Sequence, residues 1–211
     1  MTARLGLRTL AARVGVALGL ALAAEAACAH VASTQAGAFH AGLLHPLTAP
    51  EHVLPMLALG LLAGQHGLNE GQGVLLAFVA ALAAGAVLAL NQPGSDGILL
   101  LNLGSLVLIG GLVAAAWRLQ TALLYALALG FGMTHGYSNG AALPPNLSPP
   151  IYILGLVAAA LLAMGYGLAV SDALLRLKPN WPRVAVRVAG SWVAAVGILA
   201  LGMGGKTLGA W

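Results

Sequence analysis

Six runs of about twenty apolar residues, parted by short segments rich in glycine, proline and asparagine, leave this chain few ways to fold. A helix of about 20 apolar residues crosses the hydrocarbon core of a bilayer. The runs are continuous and do not alternate in polarity, which argues against a transmembrane β-barrel. Charged residues make up 7% of the chain and hydrophobic ones 60%, whereas a soluble domain carries roughly 25% charge. The expected fold is therefore all-α and polytopic, with the lipid bilayer as its first partner. The 29 glycines suit close helix packing in lipid. They serve contacts within and between chains equally, so a homo-oligomer stays open.

Residues 1–29 read as a cleavable signal peptide. Arg4, Arg8 and Arg13 form its basic region, Val14 to Ala24 its apolar core, and Ala27-Cys28-Ala29 a small-residue cleavage site before His30. The rival reading is an uncleaved first helix. Residues 30–211 then form a single domain of six transmembrane helices, expected at 39–64, 73–90, 98–117, 121–140, 151–170 and 184–203. The one cysteine, Cys28, leaves no room for a disulfide or a CxxC site within one chain.

The net charge of +4 does not point to nucleic acid. With the N-terminus in the cytoplasm, eight of the nine basic residues fall on the cytoplasmic side and only Lys206 outside, as the positive-inside rule asks. This predicts a multi-pass protein of the bacterial inner membrane whose mature N-terminus faces the periplasm.

Ionisable groups at membrane depth are expensive and by default functional. Residues 40–66 carry four of them as histidine: His40, His45, His52 and His66. Glu51 and the prolines Pro46, Pro50 and Pro55 lie in the same stretch. Pro46 suits a first helical position, with His45 as cap. In a regular helix, His45 and His52 would point the same way two turns apart, separated by roughly 10 Å, with Met56 on the same stripe. At that spacing they do not share one ion: they are successive stations along a path, or each joins ligands from another span. Pro50 and Pro55 free backbone carbonyls, and a broken helix beside imidazoles and a carboxylate is a familiar way to build an ion site. Imidazole plus carboxylate without thiolate suits divalent nickel, cobalt, zinc or iron. His40 and His66 taken singly read as packing or solvated residues.

The second constellation closes the fourth run: Gly132, His135, Gly136, Asn139 and Gly140. His135 and Asn139 share a helix face, and the glycines every fourth residue offer a close-packing surface. Both constellations sit toward the outer side, so they can converge. The plainer reading of His135 is a buried donor to a backbone carbonyl.

The stretch His45-Pro46-Leu47-Thr48-Ala49-Pro50-Glu51-His52, with Met56 and Gly60, resembles the H-P-x-x-G-x-D-H…M…G signature of the HupE/UreJ family. His135 to Pro144 is similar to that family's second motif, H-G-x-A-H-G-x-E-x-P. These are small membrane proteins, associated with hydrogenase and urease gene clusters, that are regarded as nickel or cobalt permeases. The resemblance implies a signal peptide followed by six helices. It also implies metal contacts at His45, Glu51, His52 and His135, with Met56 and Asn139 secondary. Ala49 stands where the family has glycine, Glu51 where it has aspartate, Asn139 where it has its second histidine and Ala142 where it has glutamate.

The expected function is secondary transport of a divalent metal, nickel first and cobalt next, with no tightly bound cofactor. The sequence has no Walker motif, so the chain is not expected to hydrolyse ATP or to act as an enzyme. Two alternatives stand beside it: a membrane subunit that binds metal for sensing or assembly without transporting it, and an intramembrane protease built on Ser138 and His135. His40 is a secondary candidate ligand. His30 would join a free α-amine to its imidazole after cleavage.

Overall fold

In the computed structural model the described residues are 35–91, 96–177 and 181–203. The signal segment, its cleavage site and His30 lie outside them. Among the described residues the chain is helical throughout, with no strand. The helices are α1 (Gln35–Thr48), α2 (Pro50–Gln65), α3 (Leu68–Ala89), α4 (Asp96–Ala115), α5 (Thr121–Ala141), α6 (Pro149–Leu175) and α7 (Trp181–Gly202).

Helices α3, α4, α6 and α7 are each long and apolar enough to cross a bilayer. Helices α1 and α2 qualify only together, bent by 77° at a short break. The expected first span is therefore not one continuous helix. Its break falls at Ala49, which is extended (φ −97°, ψ 109°), and Pro50 opens α2. A residue before proline is pushed out of the α region by the proline ring, and proline at the first helical position loses nothing by lacking an N–H. Pro46, expected to open a helix, instead lies in the last turn of α1. There the Thr48 hydroxyl donates to the Leu44 carbonyl at 2.9 Å. Pro55 sits inside α2 and is accommodated there. Helix α5 falls outside the set that is apolar enough to span, because its second half carries Thr134, His135, Tyr137, Ser138 and Asn139.

Glycines set how closely the helices approach. A Cβ on Gly132, Gly136 or Gly140 of α5 would strike the carbonyls of Phe78, Leu82 or Ala86 on α3. Three carbonyls one turn apart thus face three glycines one turn apart, as the fourfold spacing in the sequence suggested. Gly60 on α2 meets the backbone of α6 in the same way, and Gly110 of α4 meets Gly190 of α7. Without a hydrophobic drive between helices in lipid, such backbone contact is what association relies on.

The buried core includes Met56, Leu59, Phe78, Leu82, Leu106, Tyr152 and Met164. Leu76, Leu162, Trp192 and Ile198 are exposed on the outside of the bundle, as befits a lipid-facing surface. Trp117 and Trp181 are exposed at one end. The same end holds a cavity lined by Arg118, Arg176, Arg183 and Arg187, and indoles beside cations mark a membrane interface. This is a multi-pass membrane protein.

Candidate metal path

The arginine end is where α2, α4 and α6 finish. His52 and His135 lie toward the opposite end, at the start of α2 and late in α5, whereas His66 lines the arginine cavity. The bend at Ala49 changes the geometry expected for a straight helix. The His45 and His52 rings stand 6.0 Å apart, tilted by 47°, across the corner. They are neighbours and not distant stations. Met56, expected on their stripe, is fully buried in the apolar core.

His52 is 4% exposed and His135 is fully buried. Their Nδ1 atoms are 3.0 Å apart, and the rings meet edge to face at 5.3 Å. So the two motifs do converge, and His135 does not spend its ring on a backbone carbonyl. Its Nε2 lies 3.0 Å from the Ser105 hydroxyl of α4. Ser105 in turn donates to the Asn102 carbonyl at 2.6 Å. Asn139 donates its amide to the His135 carbonyl at 2.7 Å, and the Tyr152 hydroxyl donates to the Asn139 carbonyl at 3.1 Å. Four helices therefore hold one polar cluster in an otherwise apolar interior.

Several buried atoms on these residues have no hydrogen-bond partner: Glu51 Oε2, both amide atoms of Asn102 and Asn139 Oδ1. Orphaned buried polar atoms in a native fold call for an unseen partner, such as a water or an ion. Among the described residues no three His, Cys, Asp or Glu side chains are grouped closely enough to hold an ion by themselves. The site is an imidazole pair with unpaired oxygens on the same or neighbouring turns.

Two outcomes differ from the sequence reading. Asn102, Ser105 and Tyr152 were not singled out, yet they support the pair. Asn102 and Ser105, three apart in a leucine-rich run, do share a helix face, and that spacing was the available signal. His66, read as solvated, is half-buried: its Nδ1 donates to the Leu62 carbonyl at 2.9 Å and its Nε2 accepts from the Leu119 amide at 3.0 Å. It ties the α4–α5 connection to α2. His40 is exposed, with its ring near that of Phe39.

The family model for HupE / UreJ protein matches residues 18–200. The chain belongs to the HupE/UreJ family. Protein HupE from Rhizobium leguminosarum bv. viciae is 31% identical over 158 residues, covering 74% of this chain and 81% of that protein. No solved structure gives a significant match. Residues 18–200 include both histidine motifs, so the paired imidazoles lie within the part that defines this HupE/UreJ member.

Proposed function

We propose that this HupE/UreJ protein is a secondary carrier for a divalent transition metal. Nickel is the first candidate cargo, and cobalt accepts the same ligands. The observation that carries the reading is the buried His52–His135 pair, 3.0 Å between Nδ1 atoms. At a metal–nitrogen distance of about 2.1 Å, two ligands at right angles stand about 3.0 Å apart. The spacing fits adjacent positions on one octahedral ion as well as it fits a shared proton.

His45 lies across the bend as the neighbouring imidazole, and Glu51 offers a buried carboxylate beside His52. Glu51 Oε2 and Asn139 Oδ1 add hard oxygen donors, which suit a divalent ion better than a soft one. Metal binding needs the imidazole lone pairs free of protons, so proton and metal compete for the same atoms.

In this reading the bent α1–α2 pair is one broken crossing and α5 a crossing shielded by its neighbours, giving six in all. The membrane is the bacterial inner membrane. The arginine end lies in the cytoplasm, and the histidine end and the mature N-terminus face outward. The family's association with nickel and cobalt transport supports the cargo.

Uptake of nickel into proteoliposomes tests the reading. The full-length protein should take up nickel, and His52→Ala should abolish it. Nickel binding without uptake would instead favour a metal-binding assembly subunit, and uptake indifferent to His52→Ala would sink the carrier.

A further inference from the structure

Hydrogen positions around His135 follow from what each partner is able to do. The Asn102 carbonyl can only accept, so the 2.6 Å contact commits the single Ser105 proton to it. The Ser105 oxygen, 3.0 Å from His135 Nε2, is then left as an acceptor. His135 must donate from Nε2. In the neutral ring, a proton on Nε2 leaves Nδ1 with a bare lone pair. That lone pair points at His52 Nδ1, 3.0 Å away, so His52 supplies the proton between them. The chain runs one way, from His52 through His135 and Ser105 to the α4 backbone, and each link depends on the one after it.

We propose that Ser105 is a positioning residue of the metal path: anchored on the Asn102 carbonyl, its hydroxyl fixes the His135 tautomer that offers Nδ1 to the ion. The proposal rests on the carrier reading for its functional meaning and on the hydrogen-bond geometry for its structural content. Ser105 is fully buried, as is Asn102, and neither belongs to either histidine motif. With His135 held this way, only one proton separates the two Nδ1 atoms. When the ion enters, His52 changes tautomer by exchange with water: Nδ1 gives up its proton, Nε2 takes one up, and the ring stays neutral with no net gain or loss of protons. His135 needs no rearrangement. Partners that hold the far nitrogen of a ligating histidine fix its tautomer and orientation, and losing one typically costs 10–100-fold in affinity.

The test uses the full-length protein in lipid nanodiscs with 15N-labelled histidine. Nitrogen shifts distinguish a protonated from a bare ring nitrogen, and His135→Gln identifies the His135 signals. The wild type should show His135 with a protonated Nε2 and a bare Nδ1. Ser105→Ala should lose this single tautomer, and Ser105→Thr, which keeps the hydroxyl, should retain it. In proteoliposomes given nickel alone, Ser105→Ala should raise the half-saturating concentration about tenfold with little change in maximal rate. An unchanged His135 tautomer in Ser105→Ala overturns the proposal, and so does an unchanged half-saturation. The carrier reading fails on a separate result, uptake that ignores His52→Ala.

Discussion

The Nδ1 atoms of His52 and His135 meet at 3.0 Å although 83 positions separate them in the chain. Neither ring alone forms the site. Groups that act as a unit are strongly non-additive on removal. His52→Ala and His135→Ala should each lower nickel uptake at least tenfold, and the double substitution should be hardly worse than either single one. Initial rates in proteoliposomes check this. Losses that multiply would mean that two independent stations are at work.

Pro50 keeps Ala49 extended and so holds the corner between α1 and α2. Pro50→Ala removes the steric push on Ala49 and lets the two helices join. The His45 and His52 rings would then move apart toward the roughly 10 Å of a straight helix. Every candidate ligand is still present in this variant, yet its half-saturating nickel concentration should rise about tenfold. Wild-type half-saturation would show that the corner is dispensable.

Glycines of α5 should divide by what faces them. Gly136 abuts the Leu82 carbonyl, whereas Gly130 faces open space. Gly136→Ala forces the α3–α5 pair apart and should destabilise by about 1–3 kcal/mol. Gly130→Ala removes backbone freedom at no steric cost and should be neutral or stabilising by up to about 1 kcal/mol. Thermal unfolding in detergent, read side by side, checks the contrast.

Ala116, just past α4, holds a positive φ of 52°. A Cβ in the left-handed region costs roughly 1–2 kcal/mol, and glycine avoids that cost. Ala116→Gly should therefore raise the melting temperature while nickel uptake is kept. A lower melting temperature would mean that the alanine methyl contributes more by packing than its backbone strain costs.

Much of this arrangement was legible in the residues. Continuous apolar runs implied helices, and the spacing of Gly132, Gly136 and Gly140 implied the close approach that α3 makes. The expected outward placement of both motifs allowed His135 to meet the first one. The corner at Ala49 was less visible. Its cause, Pro50, was in plain view, but its direction depends on how α6 packs against both α1 and α2. Hence the proximity of His45 and His52 could not be read from a seven-residue spacing. Asn102 and Ser105 were missed because each alone is an unremarked residue in a leucine-rich helix. Only the contact of Ser105 with His135, supplied by a different helix, gives meaning to Ser105 and to the Asn102 carbonyl that anchors it. His66 was misread because its partners, Leu62 and Leu119, are backbone groups.

The polar half of α5 has a consequence for how the protein is made. Thr134, His135, Tyr137, Ser138 and Asn139 leave this helix too polar to enter lipid as an independent segment, while α3, synthesised before it, enters readily. Its glycine ladder fits a surface that α3 already offers. In the six-crossing reading, membrane insertion of α5 is templated: the segment that carries His135 is retained in the bilayer by a helix made earlier. In that reading biogenesis and the proposed metal path draw on the same interface, so damage to the α3 face should show first as lost protein and only then as lost transport.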